Sequence, residues 1–149
     1  MTPTHEMVHR LFTAEAQSRS ARTIELYGWL ILTEGAIIVL FPHFFAAILE
    51  LPTLVEQAAN YFRLVGVLVA GIVMLYVMSG RLNAEGFVFA SLLDRPLVPI
   101  IAALLWNLEF IPGPLALIFS LEDFGSFLWT LFLWRSERQC NHQLKGVIS

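Results

Sequence analysis

Apolar residues along this chain gather into four long runs, over residues 24–49, 61–79, 84–110 and 114–134. A helix needs roughly 20 residues to cross a hydrocarbon core, and each run is about that long or longer. The breaks between them are short and polar or proline-rich: Glu50, Pro52, Thr53, Glu56 and Gln57, then residues 80–83, then Ile111-Pro112-Gly113-Pro114. In lipid, backbone groups are satisfied only within a helix or a closed barrel, so runs of this length predict helices. The expected fold is all-α, a four-helix transmembrane bundle in one domain.

Residues 1–23 follow another pattern. Met7, Val8, Leu11 and Phe12 share one helical face, with His9, Arg10 and Glu15 elsewhere, and Thr2-Pro3 offers a cap and a first-turn proline. This predicts an amphipathic segment at the membrane surface or docked under the bundle, the alternative being a merely solvated tail. The first apolar run exceeds a signal-peptide core and lacks a small-x-small cleavage site, so it is expected to stay as a span. Pro42 should kink that span or end it early. Pro96 and Pro99 predict a bent third span, the alternative being a surface helix to Leu93 and a short span from Arg95. Residues 135–149 read as a polar tail.

Composition agrees with the runs. The 149 residues are 57% hydrophobic and 14% charged, with mean hydropathy +0.69, against about 45–50% apolar and about 25% charged in soluble domains. A net charge of −3 without a basic run argues against a nucleic-acid partner. The single cysteine, Cys140, rules out a disulfide within the chain and reads as a free thiol rather than an acylated one. There is no glycine-rich phosphate loop, nucleophile elbow or Cys/His metal spacing, so no catalytic residue, metal or enzymatic activity is expected.

Candidate chemistry lies inside the runs. Glu34, Asp94, Arg95, Glu122 and Asp123 all fall roughly 15–18 Å from the expected cytoplasmic ends, which predicts one polar layer near the midplane. Glu122, Ser126 and Thr130 form a polar stripe on one face of the last span. Arg95 is expected to pair with Glu34, Asp94 or Glu122, and Glu122 to face Glu34 or Arg95 rather than lipid. A charge at that depth costs about 2.5–3.5 kcal/mol on insertion scales and usually marks a site. The layer is either glue fixing helix register or a site for a proton or a polar or cationic group. His43, Arg63, Asn107 and Glu109 are expected to form a second cluster near the outer face. Gly66 and Ala70 offer a small-residue face for close helix approach, including that of a second copy.

Three stretches, Tyr61-Phe62-Arg63-Leu64-Val65-Gly66, Leu93-Asp94-Arg95-Pro96-Leu97-Val98-Pro99 and residues 114–123, resemble the DoxX-like group of small four-helix membrane proteins. The likeness covers residues 61–134 and implies four spans. Some members of the group are linked to quinone-coupled sulfur oxidation, but the resemblance does not extend to a quinone site or a catalytic residue here; no cofactor is expected, a quinone or a lipid being the alternative. The glutamate in the first of four short spans is also similar to that of the small multidrug transporters, where it alternates between a proton and a cationic drug. Arg95, the further acids and the long N-terminal segment depart from that pattern.

The expected roles are, in order, an accessory subunit or hydrophobic-ligand-binding bundle, a proton-coupled small transporter, and a quinone-associated redox subunit. The expected partners are the lipid bilayer and either a larger membrane complex or a homo-oligomer. The expected location is a bacterial inner membrane. Arg10, Arg19, Arg22, Arg81, Arg135, Arg138 and Lys145 all fall in the tails and the middle turn, while the other two loops carry only Glu50, Glu56 and Glu109. The positive-inside rule therefore puts both termini in the cytoplasm. Reporter fusions at Asn83 and at the C-terminus should read cytoplasmic, and fusions at Thr53 and Gly113 external. A cytoplasmic reading at Gly113 breaks this topology.

Overall fold

A computed structural model describes the backbone of residues 4–13 and 17–148 and the side chains of residues 5–13 and 17–139. Thr2-Pro3, Glu15 and the side chains of Cys140, His142 and Lys145 lie outside the described residues. The described residues form helices and no strand: α1 Thr4–Thr13, α2 Arg19–Leu40, α3 Pro42–Ile48, α4 Glu56–Arg81, α5 Glu85–Asp94, α6 Leu97–Asn107 and α7 Gly113–Ile148. Four stretches are long and apolar enough to cross a membrane: Arg19–Leu40, Glu56–Arg81, Glu85–Asn107 and Gly113–Gln139. The fold is an all-α bundle of a membrane protein.

Helix boundaries follow local chemistry. The Ser18 hydroxyl accepts the Ala21 N–H, which caps α2 and starts it five residues before the apolar run. Pro42 ends that span by opening the short α3 at its first turn. The third span runs over Glu85–Asn107 as the expected bent helix, interrupted only at Arg95 and Pro96, which keep right-handed helical dihedrals and join α5 to α6. Pro99 sits in the first turn of α6, where its missing N–H leaves nothing unsatisfied. Helices α3, α4 and α6 end in one way, with Glu50, Asn83 and Glu109 at positive φ. In each, the next N–H reaches back to the last turn, as in Leu51 to Ala46, Ala84 to Ser79 and Phe110 to Leu105. Helix α7 continues through the expected polar tail to Ile148.

The closest packing joins α2 to α4, and small residues permit it. Ala21, Gly28 and Gly35 recur every seventh residue of α2, and they meet Gly80, Val77 and Gly66 of α4 in turn. A Cβ at Gly66 would stand 2.8 Å from the Gly35 carbonyl oxygen, and one at Gly80 2.8 Å from that of Ala21. The small face of Gly66 and Ala70 is thus occupied by α2 of the same chain, which leaves it closed to the homo-oligomeric contact expected of it. On its other side α2 meets α7, and α7 in turn packs on α6. Helix α1 hangs beneath α4, held where the Arg81 guanidinium donates to the Leu11 carbonyl at 2.8 Å.

A Gly66→Ala substitution should therefore lower stability by about 1–3 kcal/mol through overpacking. At Gly71, on the same helix, an added methyl would meet nothing within 4 Å, so Gly71→Ala should be neutral or mildly stabilising. Thermal unfolding of the two variants in detergent compares them, and equal shifts would show that the seam does not govern packing.

Candidate functional site

Polar side chains meet along the α2–α7 interface in a line rather than in one layer. At the end of the bundle where α2 begins, Glu137 lies across its first turn. One carboxylate oxygen accepts the N–H of Arg19 at 2.6 Å and that of Ser20 at 3.3 Å, and the other accepts the Ser20 hydroxyl at 2.6 Å. A carboxylate there also meets the positive end of the helix dipole. Next along, the hydroxyls of Thr23 and Thr130 pair at 2.8 Å, with Thr130 wholly buried. Beyond them the Tyr27 hydroxyl donates to Asp123 Oδ1 at 2.7 Å. Farthest in, the Glu34 carboxyl lies within hydrogen-bonding reach of that of Glu122, whose Oε2 is buried with no partner among the hydrogen bonds. From Ser20 to Glu34 this line runs about 21 Å at 1.5 Å per residue.

Arg95 enters the line from the break between α5 and α6. It is the largest fully buried side chain described, at 1% exposure. The expected ion pair is missing, since among the described residues no carboxylate lies within 4.0 Å of it. Its guanidinium instead sits 4.1 Å from the centre of the Tyr27 ring and 5.5 Å from that of Tyr76, and Nη1 donates to Thr130 Oγ1 at 3.2 Å. Nε and Nη2 have no hydrogen-bond partner. Arginine tolerates this because its planar, weakly hydrated cation stacks on aromatic faces. Tyr27 therefore serves two charges, its ring the cation and its hydroxyl the Asp123 carboxylate.

The remaining expected site residues are placed differently. Asp94 is exposed, because adjacent residues on a helix point about 100° apart and Arg95 faces inward. Three acids rather than four thus reach the interior. Ser126 donates to the Asp123 carbonyl on its own helix at 3.0 Å and contributes nothing across the interface. The stripe that α7 presents to α2 is Asp123, Thr130 and Glu137, every seventh residue, flanked by Glu122. The outer cluster does not form. Arg63 donates to Asn60 at 2.8 Å, His43 and Asn107 are exposed, and Glu109 is explained by the positive-φ turn that ends α6.

Sequence reasoning missed Ser20, Thr23, Tyr27, Tyr76 and Glu137. A signal was present: Ser20, Thr23, Tyr27 and Glu34 recur at intervals of three, four and seven within an apolar helix, on one face. Also missed was Glu25, which accepts from Arg81 Nε and Gln17 Nε2, each at 2.8 Å, and so ties α2 to the end of α4. Among the described residues no group of three His, Cys, Asp or Glu side chains could hold a metal ion. Comparison of the chain with protein-family models, characterised proteins and solved structures returned no match.

Changing Tyr27 to Phe keeps the ring over Arg95 but leaves buried Asp123 Oδ1 without its donor, so about 1–3 kcal/mol of stability should be lost. Tyr61, whose hydroxyl meets only Gln57 on an exposed face, provides the comparison. If Tyr27→Phe unfolds no earlier than Tyr61→Phe, the line is not structural.

Proposed function

We propose that this membrane protein is a small proton-coupled bundle in which Glu34 and Glu122 together bind one proton. The observation that carries the reading is the meeting of these two carboxyls inside the spans, with Glu122 Oε2 buried and without a donor. Two ionised carboxylates side by side in a low-dielectric interior repel each other. One proton between them removes a charge and supplies the missing donor. The groups between this pair and the end of the bundle, Asp123, Tyr27, Thr130, Thr23, Ser20 and Glu137, are carboxylates and hydroxyls, which pass protons by hydrogen-bond exchange. This reading stands ahead of ligand binding in the bundle interior, because the α2–α4 face is closed by backbone contact and the inner side of α2–α7 holds paired polar side chains.

Infrared difference spectra between neutral and acidic pH report the carboxyl stretch directly. The native chain should show a protonated carboxyl that is lost or shifted in both Glu34→Gln and Glu122→Gln, with the helical amide bands unchanged. In proteoliposomes, the same substitutions should reduce proton uptake driven by an imposed potential. Spectra and uptake unaffected by either substitution would end the proposal.

A further inference from the structure

The end of the bundle carries a groove that the polar line does not use. On the membrane-facing side of the α2–α7 interface is a cavity of about 390 Å³ lined by Arg19, Arg22, Thr23, Leu26, Trp129 and Leu133. Its two halves differ in chemistry. Arg19 and Arg22 stand three residues apart on one exposed face of α2, in the first turns of the span Arg19–Leu40. Leu26, Trp129 and Leu133 continue the groove toward the core, with Leu26 and Trp129 about half exposed. No carboxylate lines the groove, and among the described residues neither arginine takes part in a salt bridge. The nearest acid on this turn, Glu137, accepts from the backbone amides of Arg19 and Ser20 and from the Ser20 hydroxyl.

Two arginines that make no salt bridge among the described residues, above an apolar trough with a tryptophan along one wall, complement a molecule with an anionic head and a hydrocarbon chain. The surrounding bilayer supplies one. We propose that this groove seats one anionic phospholipid, its phosphate between Arg19 and Arg22 and one acyl chain along Leu26, Trp129 and Leu133. The lipid would span the two helices beside the Thr23–Thr130 contact, bracing an interface otherwise made of polar side chains. This role is independent of the Glu34–Glu122 pair, which lies farther into the membrane.

Native mass spectrometry of the full chain in detergent tests it, with phosphatidylglycerol and phosphatidylcholine of identical acyl chains as probes. Two arginines at a membrane surface should favour the anionic lipid by roughly 30-fold. The double substitution Arg19→Gln/Arg22→Gln should bring its retention down to that of phosphatidylcholine. Equal retention of the two lipids by the native chain, or unchanged preference in the double variant, overturns the proposal. Displacement of phosphatidylglycerol by inorganic phosphate alone overturns the acyl-chain half. A second measurement needs no variant: a phosphatidylglycerol carrying a photoactivatable acyl chain should label Leu26, Trp129 or Leu133 of the native protein. Labelling confined to other helices overturns the placement.

Discussion

Two helices reach backbone contact only where both give up their side chains, and α2 and α4 do so along their shared seam. At the tightest points a single added methyl would meet a carbonyl oxygen at 2.8 Å. Such a seam fixes more than distance. It fixes the rotation of α2 about its own axis, since turning the helix would drive Ile24 or Ile31 into the α4 backbone. With one face committed to α4, the face bearing Ser20, Thr23, Tyr27 and Glu34 has a single direction left, toward α7. The polar line is thus a consequence of apolar packing on the adjacent face, about 100° round the same helix.

Within that line the arginine poses the sharpest energetic question. A buried guanidinium without a carboxylate beside it loses hydration and gains no direct ion pair. What it has are two tyrosine rings, one hydroxyl and, through Tyr27, an indirect link to Asp123. Desolvated cation–π contacts contribute about 2 kcal/mol or more each, comparable with the cost of a charge at the centre of a span on insertion scales. Arg95 closes α5 with its N–H bonded to the Ser91 carbonyl, and its side chain reaches inward from there. Hydroxyls and stacked rings hold the helices along the line, and the buried atoms left without a partner are Arg95 Nε and Nη2 and, at its inner end, Glu122 Oε2.

Hydropathy made the spans legible, because a hydrocarbon core selects on length and polarity alone. The meeting of Glu34 and Glu122 was likewise foreshadowed by depth, which follows from residue count. What depth could not convey was direction. Asp94 and Arg95 are adjacent in sequence and equal in depth, yet one points out and the other in, because neighbours on a helix diverge by about 100°. The ionic partner expected for Arg95 failed for a similar reason, as aromatic faces are not ranked by charge counting. Ser20, Thr23 and Tyr27 escaped notice because uncharged polar residues are cheap in a span and stand out only when their spacing is read together.

The seam also divides α4 into two kinds of surface. One stripe, Gly66, Val73 and Gly80, is buried on the side of α2, while Leu64, Val65, Leu68, Ile72 and Leu75 look outward. Lipid tails do not distinguish one branched hydrocarbon from another, so the outward positions impose polarity and little else. Related sequences would be free to exchange leucine, isoleucine, valine and methionine there without consequence for the bundle. The pressed stripe allows no such drift. Divergence along this helix should therefore be periodic, with narrow invariant positions set in an interchangeable hydrocarbon coat.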